Sequence, residues 1–402
     1  MNDLKPLKSS VGQPAEGKDK YFPREKITKK ILRKLEVGEN ILISAPRRIG
    51  KSSVLKDISN NPQSGQIIKY MIVQSVDSSD EFFKKLFNEL LNDQQIIKGI
   101  KGYLTRASNE VKKYSSRITG VSLNGSVDIG VNERIDYYYE CTELIKNFEG
   151  NNKNILVIID EYPDALNNII KNDKKSATKF LQQNRDFRGL TSDVNLQFIY
   201  TGSTGLKNIV TKLDRLDLIN DLNTIQISPL KKDEATLLIQ RLTLGFQEDN
   251  KNFEITTEII EYILQKTTWL IPYYIQIIVD ELFEYYEEHE KTIDKGSVEL
   301  IFREIVKSKS NHSDYFENWK KRLKTAFKKY DYSFAIECLN TIAKNNTIEY
   351  AVLHDLSIKN KVKDVRYILD VLEHDGYISE NEKTYAFNSV FLKEWWYINV
   401  AT

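Results

Sequence analysis

Residues 41–54, Ile-Leu-Ile-Ser-Ala-Pro-Arg-Arg-Ile-Gly-Lys-Ser-Ser-Val, restrict the fold more than any other stretch of this chain. A short apolar run of strand length passes through a loop into a Lys-Ser pair that opens a helical pattern. The sequence G-x-x-x-x-G-K-[ST] between a strand and a helix marks a phosphate-binding loop, and Ala45, Gly50, Lys51 and Ser52 stand at its four fixed positions. Only Ala45 departs from the pattern. Successive backbone N–H groups must curl around an anion, so Gly50 keeps the approach open, whereas position 45 needs only a small side chain. Lys51 then reaches the β and γ phosphates, Ser52 offers its hydroxyl to Mg²⁺, and the helix N-terminus turns its positive end to the anion. Pro46, Arg47, Arg48, Ile49 and Ser53 complete the cradle expected for ATP or ADP. Arg47 and Arg48 have two readings: contact with phosphate or a neighbouring subunit, or structural ion pairing.

A second signal lies at Asn154 to Tyr162, where Ile155, Leu156, Val157, Ile158 and Ile159 run without a break into Asp160-Glu161. Such a run suits a central parallel strand buried on both faces, and open α/β sheets bind ligands at the carboxyl ends of their strands. Asp160 is placed to hold Mg²⁺ through water, and Glu161 to orient or deprotonate an attacking water. A further strand, Leu196 to Thr204, ends in small hydroxyl residues. Thr201 or Ser203 there senses the γ-phosphate by hydrogen bonding, with Ser203 taken as the catalytic member, or the hydroxyls cap a helix.

The 402 residues suffice for two or three domains. Residues 1–20 are polar and lack an apolar run, which predicts a loose tail rather than a signal peptide. Residues 21–230 alternate strands and helices as an α/β P-loop domain, with an insertion at about 95–133 that contains a glycine-rich alternating run read as a hairpin. Arg24, in Phe22-Pro23-Arg24-Glu25, either reaches a bound nucleotide or is a solvated charge. Residues 231–327 show only helical periodicity and predict an all-helical lid, in which the Tyr and Phe residues read as core. In 314–329, aromatic and basic residues interleave; the pattern fits an amphipathic helix with long stems over its core face better than a nucleic-acid surface. Residues 328–402 read as three helices and a two-stranded ribbon, a winged helix.

The formal charge is only +1, from 58 basic and 57 acidic side chains, so no bulk field attracts nucleic acid or membrane. The segment 328–402 holds nine Lys and Arg against eleven Asp and Glu, a weak footprint for DNA, although Lys359, Lys361, Lys363 and Arg366 cluster near the third helix. Cys141 and Cys338 form no disulfide framework, which suits a reducing cytoplasm. The four histidines lack metal spacing, and His312 beside Asp314 reads as a surface pair. No stretch has the length of a membrane span.

Phe22 to Glu25, the loop Ala45-Pro46-Arg47-Arg48-Ile49-Gly50-Lys51-Ser52, Asp160-Glu161-Tyr162-Pro163, Gly202-Ser203 and Ser228-Pro229-Leu230 together resemble the archaeal-type ATPases, signal-transduction (STAND) relatives of AAA+ proteins. The resemblance implies an ASCE-type sheet with an additional strand between the nucleotide motifs, a helical lid, and a winged helix that closes over nucleotide. It also implies a switch, in which ADP holds a closed form and ATP permits an open or assembled one. The family's Gly-x-Pro lid motif corresponds to Leu270-Ile271-Pro272, with Pro272 kept near the nucleotide and Leu270 in the glycine place. Arg185 and Arg188 are the candidates for a trans-acting arginine finger. The expected function is a slow, Mg²⁺-dependent regulatory ATPase with a protein partner or self-assembly in the ATP state. The alternatives are a DNA-binding ATPase of a mobile-element or defence system, and a nucleotide-binding scaffold that does not hydrolyse.

Overall fold

The computed structural model describes residues 4–12, 14–119, 135–150, 153–190, 196–202, 205–307 and 310–401. The expected hairpin in 120–131 and Ser203 lie outside the described residues. The chain forms two compact units, one of residues 24–44 and 54–226, the other of residues 1–23, 45–53 and 227–402. The segments 231–327 and 328–402 therefore share a unit with the phosphate loop and the N-terminal stretch.

The elements through the first unit are, in order, α1 (Glu25–Glu36), β1 (Asn40–Ser44), α2 (Lys51–Asn60), β2 (Gln66–Ile72), α3 (Ser79–Leu91), α4 (Gln94–Gly99), α5 (Lys101–Arg106), α6 (Asn109–Thr119), α7 (Tyr137–Lys146), β3 (Asn154–Asp160), α8 (Tyr162–Asn172), α9 (Lys174–Gly189), β4 (Leu196–Gly202), α10 (Leu206–Lys212) and β5 (Leu222–Gln226). The strands make one sheet in the order β2-β3-β4-β1-β5, parallel throughout. Ile155 to Ile159 are wholly buried at its centre, as an unbroken apolar run requires. Ser44 pairs with Gly202 and Ile159 with Tyr200, so β1, β4 and β3 end level at one edge. The described half of the expected insertion belongs to the core itself. Ile96, Ile100, Leu104 and Val111 are buried in one cluster with Phe83 and Phe87. Sequence periodicity did not resolve α8, which begins within two residues of the end of β3, or the seven-residue α10.

The second unit contains α11 (Lys232–Phe246), α12 (Thr257–Thr267), α13 (Pro272–His289), α14 (Lys295–Ile305), α15 (Ser313–Ala326), α16 (Lys329–Asn345), β6 (Ile348–Glu349), α17 (Tyr350–Lys359), α18 (Val365–Asp375), β7 (Ile378–Asn381), β8 (Thr384–Phe387) and α19 (Val390–Asn399). The winged-helix expectation gains a third strand, because β6 pairs with β8 beside β7. Its terminal helix is tied to the lid helices by rings. Phe391 of α19 stacks on Phe302 of α14 at 4.2 Å and on Tyr274 of α13 at 5.0 Å, while Phe316 of α15 stacks on Trp395 at 5.7 Å. The aromatics that make these contacts are core, as the periodicity of the lid helices indicates.

The N-terminal stretch is not loose. Leu7 is 2% exposed, its N–H donates to the Arg241 carbonyl at 2.8 Å, and a Cβ at Gly245 would stand 2.2 Å from its carbonyl oxygen. Ser10 N–H donates to Gln276 Oε1 at 2.9 Å. Polar composition suggested a tail, but one buried leucine, the hydrogen bonds of Leu7 N–H and the Lys5 carbonyl with Arg241, and that of Ser10 N–H with Gln276 hold the segment on α11 and α13. Beside it, burial pushes the Asp280 carboxyl up to about 6; the Ser9 hydroxyl and His312 oppose this, and Glu284 and Glu281 add to it. A carboxyl raised in the folded state binds its proton more tightly there than in the unfolded chain, so stability falls as pH rises from about 4 to 6. The expected result is a thermal midpoint that drops across this window, with the slope reduced in Asp280→Asn; an identical slope in the variant would assign the effect elsewhere.

Candidate nucleotide site

The loop after β1 is shaped by two residues in the left-handed region, Arg48 at φ 65° and Gly50 at φ 97°. Glycine occupies the second without strain. Ala45 is 3% and Ile49 0% exposed, anchoring the two ends of the loop in apolar surroundings. Lys51, 6% exposed at the first position of α2, turns its ammonium back across the loop and donates to the carbonyls of Ala45 and Pro46, each at 2.9 Å. The positive charge is thereby held within the curve where a phosphate is expected. Ser52 follows it in the first helical turn, and Ser53 Oγ accepts from Ala15 N–H at 3.0 Å.

Arg48 faces the second unit's own core. Its guanidinium lies over the rings of Tyr273 at 4.9 Å and Tyr315 at 5.8 Å and donates to the Gly12 carbonyl. These contacts run through ring faces and a carbonyl, not through the ion pair that one of the two sequence readings expected. Arg47 lies close enough to Tyr377 for its charge to favour the phenolate. Pro46 packs where the turn after α18 comes nearest, since a Cβ at Gly376 would stand 2.8 Å from Pro46 Cβ and 2.9 Å from Trp269 Cη2.

Pro272 opens α13 as its first residue. Leu270 lies outside the left-handed region, and the turn is carried by Thr268 at φ 54°, so the absence of glycine at position 270 costs no strain. The Leu270 carbonyl accepts from Leu230 N–H at 2.8 Å, which ties the segment after Pro229 to the start of α13.

In the first unit, both oxygens of Asp160 are engaged. Oδ2 accepts from the Tyr70 hydroxyl at 2.5 Å and Oδ1 from Glu161 N–H at 3.0 Å. These bonds fix the orientation of the carboxylate at the end of β3. Glu161 adopts the left-handed conformation at φ 58° as the N-cap of α8, a strained setting of the kind that clusters at functional sites. Its Oε2 lies 3.4 Å from where a Gly202 Cβ would be, and that Cβ would also fall 2.4 Å from Pro163 Cδ. Gly202 thus lets the start of α8 close onto the end of β4. Thr201 is wholly buried, and its hydroxyl has no hydrogen-bond partner among the described residues.

Arg24 is 6% exposed at the N-cap of α1, which excludes the solvated-charge reading. Arg188 is corrected as a finger candidate. Its side chain is 2% exposed and clamped by Asp221 at 2.7 and 2.9 Å and by the Leu218 carbonyl at 2.7 Å, so it cannot reach a neighbouring molecule. Burial works to raise the Asp221 pKa, but the hydrogen bonds and charge of Arg188, with Arg185 at 2.6 Å, hold it below its usual range. His312 is also corrected: it meets Glu281 Oε1 at 2.8 Å rather than pairing with Asp314. Sequence reasoning missed Tyr70, whose only signal was a polar aromatic on the strand beside Asp160.

Neither a family model nor a curated protein matches the sequence. The structure is similar to a Walker-type ATPase of Pyrococcus abyssi, with TM-score 0.61, 16% identity, and coverage of 96% of this chain and 98% of that one. It is also similar to the ORC2 protein of Aeropyrum pernix, solved in ADPNP–ADP complexes, with TM-score 0.50, 10% identity, and coverage of 96% and 92%. The chain therefore has the α/β P-loop fold of Walker-type ATPases, with helices and a winged-helix element following the sheet. Among the described residues no helix is long and apolar enough to cross a membrane, and both cysteines are buried and free.

Proposed function

We propose that the chain is a regulatory ATPase that binds ATP or ADP and hydrolyses ATP with Mg²⁺. The observation that supports this most is the sheet order: β1, which runs into Ala45–Ser53, and β3, which ends in Asp160 with Glu161 directly after it, flank β4 and finish level with it. The loop N–H groups and Lys51 bind the phosphates, and Ser52 and Asp160 hold the metal. Bound Mg²⁺ supplies charge neutralisation at the phosphate oxygens. Glu161 orients water and takes its proton, and the hydroxyl of Thr201, in β4, or of Ser203 reads the γ-phosphate. Arg24 and Pro272 belong to the nucleotide's surroundings. The likeness to a Walker-type ATPase and to a protein solved with ADPNP and ADP supports the nucleotide class.

The switch reading, with ADP holding a closed form and ATP allowing assembly with itself or a protein partner in the cytoplasm, rests on the phosphate loop sharing a unit with the lid and winged helix. Arg48 on Tyr273 and Tyr315, and Pro46 against Gly376, are the contacts through which phosphate binding changes that unit. The test is steady-state hydrolysis beside Lys51→Ala and Glu161→Gln, with mass measured in ATP and ADP. Lys51→Ala is expected to abolish nucleotide binding. Glu161→Gln should keep binding and lower turnover by about 10²-fold or more, the usual worth of a positioned base. Nucleotide binding with turnover equal to that of Glu161→Gln would leave the scaffold reading in its place.

A further inference from the structure

The geometry points to a second ligand surface: the lysine face at the end of α15 binds the phosphate backbone of duplex DNA. This goes beyond the ATPase reading and stands without it. Residues 320–329 contain Lys320, Lys321, Arg322, Lys324, Lys328 and Lys329 and no acidic side chain. The structure sorts the interleaved pattern cleanly. Tyr315, Phe316, Trp319, Leu323 and Phe327 are buried, while Lys321, Lys324, Lys328 and Lys329 are exposed and Lys320 is half-buried. Lys320, Lys321 and Lys324 share one side of the last helical turns by their three- and four-residue spacing, and Lys328 and Lys329 continue the patch into α16. Arg322 alone turns inward, to Asp375 at 3.6 Å. The five lysines form no ion pair among the described residues, so their charge is not cancelled locally.

Elsewhere in the same unit, two of the four basic side chains near the third winged helix are paired with carboxylates, and Lys361 and Lys363 are exposed. Lys359 meets Glu337 at 3.0 Å, and Arg366 meets Asp370 at 3.0 Å and Glu380 at 3.6 Å. The weak footprint there is thus reduced to two lysines, against five at the end of α15. Three properties select duplex DNA as the occupant. Closely spaced lysines match a backbone with one charge per about 1.7 Å of axis. Single strands need rows of aromatic stacking platforms; every aromatic ring of α15 is buried, and the exposed Tyr330 beside the patch lies against the Lys329 ammonium at 4.8 Å. A helix that inserts into a membrane surface carries apolar side chains beside its charge, and no large apolar residue of α15 is exposed. Lysine ammoniums on phosphates position a duplex without reading its sequence.

The test uses the full chain and a labelled random-sequence duplex of about 24 bp, with anisotropy followed between about 50 and 200 mM salt. Lys321→Glu/Lys324→Glu/Lys328→Glu is compared with Lys359→Glu/Lys361→Glu/Lys363→Glu, both checked for an unchanged thermal midpoint. The first triple is expected to bind at least about tenfold more weakly, with the slope of log K against log salt flatter by about 3, near 0.9 for each phosphate that is no longer neutralised. The second triple is expected to bind like the wild type. No wild-type binding at low salt, an effect confined to the second triple, or wild-type binding to anionic phosphatidylserine vesicles but not to the duplex would overturn the assignment. If a charge-reversed triple fails to fold, Lys321→Gln/Lys324→Gln/Lys328→Gln reads the same slope.

Discussion

Asp221→Ala is expected to destabilise the sheet-bearing unit by about 3–5 kcal/mol, because it leaves the Arg188 guanidinium buried without its counter-charge. Arg188 keeps the Leu218 carbonyl at 2.7 Å and the Tyr200 hydroxyl at 3.4 Å, neither of which neutralises it. For a unit of this size each kcal/mol lowers the thermal midpoint by about 2–4 °C, so a drop on the order of 10 °C is the readout. Removing the charge as well, in Arg188→Met/Asp221→Leu, should recover much of the loss, since a buried pair exchanged for apolar groups of like volume is close to neutral. The same variants decide the finger question. Loss of a true arginine finger lowers turnover by about 10³–10⁵. Turnover per folded molecule of Arg188→Met/Asp221→Leu is expected to stay within a few-fold of wild type, measured well below its midpoint. A collapse of turnover with stability intact would restore Arg188 to the reaction.

The parts of this molecule that local chemistry dictates were the parts legible in the chain. An unbroken Ile155–Ile159 run can only be a strand covered on both faces, and it is. Gly50 stands where a phosphate loop needs φ above zero, and its φ is 97°. What depends on distant partners was not legible. Leu7 carries no periodicity, yet it is held by a carbonyl at Arg241 and by the missing side chain of Gly245. Arg188 reads as a free cation until Asp221, on the loop before β5, closes on it. Charge patterns were ambiguous for the same reason. The interleaved aromatics and lysines of α15 acquire a direction only when Trp319 is found buried beneath Tyr377, their rings 4.8 Å apart.

Gly376→Ala is the variant in which fold and nucleotide response are expected to change together. Gly376 ends α18 in the left-handed region at φ 90°, where any Cβ adds about 1–2 kcal/mol of backbone strain. The new methyl would also stand 2.8 and 3.0 Å from Cβ and Cγ of Pro46 and 2.9 Å from Trp269 Cη2. Both are rigid rings, so relief requires the loop or the lid segment to shift, at about 1–3 kcal/mol for overpacking. The sum is a loss of about 2–5 kcal/mol. Because Pro46 belongs to the phosphate loop, we expect nucleotide affinity to fall at least about tenfold, which corresponds to about 1.4 kcal/mol. Gly38→Ala is the control: its φ is 84°, but a Cβ there meets nothing within 4 Å, so it carries backbone strain alone. If the two variants lose stability by different amounts yet bind ADP equally well, the contact between the winged-helix turn and the phosphate loop is packing only. If Gly376→Ala alone weakens ADP, one glycine without a side chain is the point at which the winged helix bears on the nucleotide loop.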